Sequence, residues 1–156
     1  MKELIIVNSK VDTNQILLPE WESRLKNISN NIKKYTGENY VSLYNIGGEH
    51  MYNTANRLSN ELELPLKKWD ECSTYSQPKN SHQHELHDSM DRLYQSEKST
   101  VIVTILNQQL SDLIGWWLKL PYGIWSNWEL VTEQIGFHVL NINKSGDRTI
   151  YKFNER

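Results

Sequence analysis

An apolar run from Leu4 to Val7 stands near the start of the chain and stops at Asn8, Ser9 and Lys10. A short apolar run bounded by polar residues reads as a buried strand, here over 3–8. A loop containing Asp12, Thr13 and Asn14 follows. Trp21, Leu25, Ile28, Ile32 and Tyr35 then recur every three or four positions and predict an amphipathic helix over 19–36. Pro19 suits its first turn and Gly37 its stop. "NYVSLYNI", 39–46, alternates and is rich in β-formers, so it reads as a second strand, broken by Gly47 and Gly48. Met51, Ala55, Leu58 and Leu62 line one face of a helix over 49–62 that ends before Pro65. "LKKW", 66–69, is a short strand candidate, and the polar "CSTYSQPKNSH", 72–82, is loop. Leu86, Met90 and Leu93 face inward from a helix over 83–96. "STVIVTIL", 99–106, is the strongest strand pattern in the chain, and its unbroken apolar stretch suits a central strand buried on both faces. Asn107 then reads as the N-cap of a helix carrying Leu110, Leu113, Ile114, Trp117 and Leu118, closed by Pro121 and Gly123. Strands over 127–132, 136–142 and 148–153 complete the chain, the last two joined by the "KSGD" turn at 144–147.

Strands alternating with helices imply a three-layer αβα sandwich: a mostly parallel sheet with helices on both faces. The whole chain, 1–156, reads as a single domain, with no repeat and no low-complexity segment. In such folds ligands bind outside the carboxyl ends of the strands. That rule singles out the loops at Asn8–Lys10, Asn45–His50 and Leu106–Gln109 as the walls of one crevice.

Composition narrows the function classes. A net charge of −2 excludes a broad phosphate-backbone surface, so no nucleic acid partner is expected. No apolar run approaches a membrane span, and "LIIV" is too short for a signal-peptide core, so a cytoplasmic protein with no membrane partner is expected. The lone cysteine, Cys72, has no mate for an internal disulfide and no cationic neighbours to activate it. Trp116, Trp117, Trp125 and Trp128 cluster near the end of the fourth helix. They read as a core-and-rim cluster, with a surface for a protein partner or for self-association as the sharper alternative. His84, His87, Asp88 and Asp91 recur at one-turn spacing in "HQHELH" and the residues after it, which would suit a divalent metal. The stretch matches no named zinc motif, and solvated helix-end histidines are the plainer reading. No cofactor is expected.

Several strings resemble the histidine phosphatase superfamily, also called phosphoglycerate mutase-like. "LIIV" resembles its first strand, which normally runs into Arg-His-Gly. "LYNIGGEHMYNTANRLSNELELPL" resembles the segment that ends Arg-x-x-x-Thr-Ala and its helix, and Thr54-Ala55 keeps the Thr-Ala pair. "WDEC" resembles the stretch with the acidic residue. "VIVTILNQQLSDLIGWWLKLP" resembles the last core strand, the second-histidine loop and the helix after it, and "NWELVTEQIGFHVLNIN" the terminal strands. The resemblance spans nearly the whole chain through element order and spacing. It implies phosphoryl transfer through a phosphohistidine: an imidazole nucleophile, two arginines and a second histidine holding the phosphate oxygens, and a carboxylic acid protonating the leaving group.

Carried over position by position, that machinery is almost absent. Arg-His-Gly falls on Asn8, Ser9 and Lys10; the arginine before Thr-Ala falls on His50; the second histidine falls on Asn107; Glu71 alone is left as a candidate acid. The resemblance therefore implies a catalytically degenerate member with a binding or regulatory role. Removing one stabilising donor alone costs roughly 3–4 kcal/mol of transition-state stabilisation. Two alternatives stay open: a phosphomonoester hydrolase or mutase with rearranged residues, using Ser9 or His50 with Glu71, and a weak phosphate or sulfate site built on Lys10 and His50. His138, in a tail strand, reads as structural.

Overall fold

The computed structural model of the chain describes residues 1–10, 19–69, 79–121, 130 and 135–155, and of residues 19 and 79–84 the backbone alone. Among them the elements run β1 (Glu3–Ser9), α1 (Pro19–Thr36), β2 (Val41–Asn45), a 3-10 turn (Gly48–Met51), α2 (Tyr52–Leu62), β3 (Leu66–Lys68), α3 (Lys79–Ser96), β4 (Thr100–Leu106), a second 3-10 turn (Asn107–Gln109), α4 (Leu110–Trp117), β5 (Ile135–Ile142) and β6 (Arg148–Glu155). The strands form one six-stranded sheet in the order β3-β2-β4-β1-β5-β6. The pairs β2–β3, β2–β4 and β1–β4 are parallel, whereas β5 lies antiparallel to both β1 and β6. The architecture is thus the mixed, mostly parallel αβα arrangement that alternation in the sequence implies.

The two helical layers follow from the order of the strands. The chain steps toward the β3 edge through α1 and α2, then turns back through α3. A right-handed crossover places helices of opposite stepping direction on opposite faces. Accordingly Trp21, Leu25, Ile28 and Ile32 of α1 and Leu58 and Leu62 of α2 pack on Ile5, Val7, Leu43 and Ile102. Leu86, Met90 and Leu93 of α3 and Leu110, Leu113, Ile114 and Trp117 of α4 pack on Leu4, Ile6, Val101 and Val103. The period-two alternation of a strand divides β1 between the two cores. β4 is buried along its entire length, as a central strand covered on both faces must be. Each fully buried Leu or Ile contributes about 1.5–3 kcal/mol, so the stripe on α1 outweighs the weak stability of an isolated helix.

The structure corrects several details. The second helix opens as a 3-10 turn at Gly48–Met51 before α2, and α3 begins at Lys79, earlier than the apolar stripe suggests. α4 ends at Trp117, ahead of Pro121 and Gly123. Its stop is Lys119, which takes a left-handed φ of 55° while Leu120 N donates to Gly115 O at 3.0 Å. Glu63, with φ 56°, closes α2 in the same way as Leu64 N donates to Ser59 O at 3.1 Å. Gly37 ends α1 as the sequence suggests, at φ 57°. The expected strand at 127–132 lies outside the described residues except for Leu130, which belongs to no strand. No helix among the described residues is long and apolar enough to cross a membrane.

Candidate functional site

β1, β2 and β4 are parallel, so Ser9, Asn45 and Leu106 close their strands at the same edge of the sheet. β1 and β4 are neighbours there, yet the helix after β1 packs on one face and the helix after β4 on the other. Adjacent strands whose following helices diverge open a crevice, the usual ligand position of an α/β sheet.

Asn8, in the last turn of the β1 pleat, is fully buried, and its Nδ2 donates to Asn107 Oδ1 at 2.8 Å. Asn107 is half-buried in the 3-10 turn after β4. The Asn107 side chain does not cap α4 as the sequence suggests, because its oxygen is taken by Asn8. Gln109 serves the 3-10 turn, where Leu106 N donates to Gln109 Oε1 at 2.9 Å, and the N-cap of α4 makes no side-chain capping bond. Asn8 has a second partner. His138 Nε2 lies 2.7 Å from Asn8 Oδ1, and Asn154 N donates to His138 Nδ1 at 3.0 Å. A neutral imidazole has one donor and one acceptor nitrogen. The backbone N–H of Asn154 claims the acceptor, so the proton sits on Nε2 and is donated to Asn8. His138 is itself fully buried, and burial pushes it down to about 4, leaving it uncharged at neutral pH. The ring of Phe153 packs against it with centroids 4.7 Å apart.

Ser9 is 1% exposed, paired with Leu106 on one side and Ile135 on the other. Among the described residues its hydroxyl has no hydrogen-bond partner. Lys10 is exposed just beyond it. Across the crevice, Thr104 Oγ1 donates to Asn45 Oδ1 at 3.0 Å and Asn45 Nδ2 donates to Gly48 O at 2.8 Å. Ile46 N and Gly47 N both donate to Thr104 O at 3.0 Å, tying the turn after β2 to β4. Gly47 is obligatory in this packing, since a Cβ there would stand 2.3 Å from Met51 Cγ. His50 sits on that turn with its side chain exposed. Asn8, Ser9 and Asn107 therefore meet as neighbours, and His50 marks the facing wall.

The remaining candidates divide. Glu71, Cys72, Trp125 and Trp128 lie outside the described residues. Trp116 and Trp117 are core residues: their indoles donate to Asp91 Oδ1 at 2.8 Å and to Thr149 O at 3.2 Å. Both are buried, as the core reading of this pair expects. His84 falls in the part of α3 where the backbone alone is described. His87 Nε2 donates to Asp112 O at 3.2 Å, Asp91 receives Trp116, and Asp88 is exposed. Two of the four side chains in the suggested metal set are thus engaged in packing α3 on α4. Among the described residues no three His, Cys, Asp or Glu side chains stand close enough to hold a metal.

His138 is the site residue that the sequence reading treated as merely structural. Its signal was present: an imidazole between Phe137 and Val139 in an apolar strand needs buried partners. Which partners depends on β5 lying beside β1, 130 positions away along the chain.

No protein-family model matches this sequence, and no curated protein matches it. Solved structures do. A mycobacterial glucosyl-3-phosphoglycerate phosphatase superposes with a TM-score of 0.71 at 11% identity, covering 99% of each chain. A phosphoserine phosphatase from Entamoeba histolytica, in complex with 3-phosphoglyceric acid, gives 0.70 at 11% identity over 100% of this chain and 98% of that one. A phosphoglycerate mutase from Plasmodium falciparum gives 0.59 at 14% identity over 98% and 91%. The chain shares the histidine phosphatase, phosphoglycerate mutase-like fold from end to end.

Proposed function

Starting from a histidine phosphatase fold, we propose that this chain is catalytically degenerate and acts as a non-catalytic binding or regulatory domain. The observation that carries this reading is the Asn8–Asn107 hydrogen bond. By the resemblance, these two positions belong to an arginine and a histidine that grip phosphate. Here two uncharged amides are hydrogen-bonded to each other, and the imidazole behind them is buried and neutral. Phosphoryl transfer needs positive charge on the equatorial oxygens of the transition state. Among the described residues the buried side chains here, Asn8, Ser9 and His138, supply none, and Lys10, just beyond Ser9, is exposed. The crevice mouth, between Lys10 and His50, is then the surface offered to a partner or to a weakly held phosphate or sulfate. A cytoplasmic setting accords with the single cysteine.

One observation favours a second reading, a divergent phosphomonoester hydrolase. Ser9, at the nucleophile position, keeps a buried hydroxyl unbonded among the described residues. It would need a base within reach, and none is among its hydrogen-bond partners. A panel of phosphomonoesters decides between the two. The degenerate reading expects no turnover above a Ser9→Ala control. Turnover lost in Ser9→Ala or His50→Ala, with the variants folded, would establish the hydrolase instead.

A further inference from the structure

We infer that His138 is a positioning residue that fixes the hydrogen-bond polarity of the crevice, so that Asn107 offers amide N–H groups to an acceptor oxygen of an incoming carbonyl or carboxylate. The inference rests on the non-catalytic reading of this site and names the chemistry the site would take.

The chain of donors has one direction. It begins at a backbone N–H, Asn154, whose role as donor is fixed by covalent structure. That N–H reaches His138 Nδ1 at 3.0 Å, which must accept. The other ring nitrogen must then donate, and it lies 2.7 Å from Asn8, which therefore presents oxygen. The amide of Asn8 has only nitrogen left for Asn107, 2.8 Å away, so Asn107 in turn presents oxygen. Each assignment forces the next, so the orientation of both side-chain amides is set by a peptide group in β6. At the end of the relay, Asn107 Nδ2 keeps both hydrogens, and among the described residues it has no acceptor. Asn107 is half-buried, hence reachable from the crevice. Ser9, in register with Leu106, is not part of this relay: the alternation of β1 turns its hydroxyl to the face of Ile5 and Val7, away from Asn8.

What fits the two hydrogens of one neutral amide is an acceptor oxygen of low charge. A doubly charged phosphate would need cations to offset its desolvation, and the buried side chains here, Asn8, Ser9 and His138, provide none. A neutral amide carbonyl needs only the hydrogen bonds, and a singly charged carboxylate has a smaller desolvation cost than phosphate.

The test is nuclear magnetic resonance on the full chain labelled with nitrogen-15. At neutral pH, His138 is expected with Nε2 protonated and Nδ1 bare, and Asn107 with one side-chain amide form. His138→Gln can accept from Asn154 and donate to Asn8, so it should keep the Asn107 amide signal. His138→Leu removes the donor, and the signal should shift or split. Sodium acetate and N-methylacetamide should move the Asn107 amide resonance in the wild type and in His138→Gln. Acetate affinity should fall about tenfold in His138→Leu, the equivalent of about 1.4 kcal/mol. A proton on Nδ1 would overturn the relay, and this measurement needs no variant. An Asn107 amide indifferent to His138→Leu in a folded protein would overturn it too. Inorganic phosphate perturbing the amide at lower concentration than acetate would overturn the ligand class. Turnover in the phosphomonoester panel beside the expected tautomer would instead defeat the non-catalytic reading alone.

Discussion

Asn8 and His138 are hydrogen-bonded at 2.7 Å, although their strands run antiparallel and Asn8 is in register with Gly136. The contact is a diagonal one, two residues along β5, on the face that packs against α3 and α4. It places an ionisable ring where water cannot reach it, and ties the state of that ring to the edge of the sheet.

Acidification should therefore destabilise the fold through His138. Unfolded, it titrates near 6.5; folded, burial pushes it down to about 4. Between these values the unfolded chain binds the extra proton and the native one does not, so lowering the pH favours unfolding. The contribution is intact above about pH 6.5, declines from there to about pH 4, and is constant below. Its full size is about 3 kcal/mol. Urea denaturation at a series of pH values should show this slope in the wild type and lose it in His138→Gln. The protonated ring can no longer accept from Asn154, so the Asn154 amide should lose exchange protection over the same range.

Replacing Asn8 separates the relay from simple volume loss. Asn8→Ala leaves the buried His138 Nε2–H without an acceptor, while the half-buried Asn107 can turn to water. A loss of about 2 kcal/mol in denaturant stability is expected. Asn8→Asp keeps the shape and supplies a carboxylate beside the imidazole. His138 should then titrate higher than in the wild type, because the protonated ring gains an ion-pair partner. Histidine proton shifts against pH measure this directly, and an unmoved titration would mean that the two side chains are not in contact.

Much of the architecture could be read from the chain because each helix carries its own apolar stripe and each strand its own β-rich run. Leu25, Ile28 and Ile32 announce α1, and Val101, Ile102 and Val103 announce the centre of the sheet. The strand-edge rule also brought Asn8, Ser9 and Asn107 to one place. Features set by long-range pairing were not legible. The antiparallel partner of β1 is β5, and no local pattern states that pairing. Helix ends were misjudged for the opposite reason. Pro121 and Gly123 are strong local stops, but Trp117 is fixed in the core and the chain must turn sooner, at Lys119.

Those turns carry a cost that can be removed. Glu63 and Lys119 hold φ values of 56° and 55°, where a Cβ crowds the backbone by roughly 1–2 kcal/mol. Glycine has no such crowding and loses some of the gain to its greater freedom when unfolded. Glu63→Gly and Lys119→Gly should each raise stability by about 0.5–1 kcal/mol. The two sites close different helices, so the double variant should show the sum. Thermal and urea denaturation would register both, and a loss of stability in either would deny the left-handed turn at that site.

Arg148 should prove irreplaceable by lysine. Its guanidinium carbon stands 4.4 Å from the ring centroid of Tyr94 and 5.2 Å from those of Trp116 and Trp117. Its Nη1 donates to Trp117 O at 3.2 Å, so the first residue of β6 caps the last turn of α4. A planar guanidinium can lie on several rings while its N–H groups reach a carbonyl; an ammonium has a smaller, more hydrated head and cannot do both. Arg148→Lys is expected to cost about 1 kcal/mol, and Arg148→Ala about 2 kcal/mol. Tryptophan emission should change in both variants before any global unfolding, because the perturbed rings are Trp116 and Trp117. Equal stability of the lysine variant and the wild type would show that charge alone, without the stacked plane, holds this corner of the sheet.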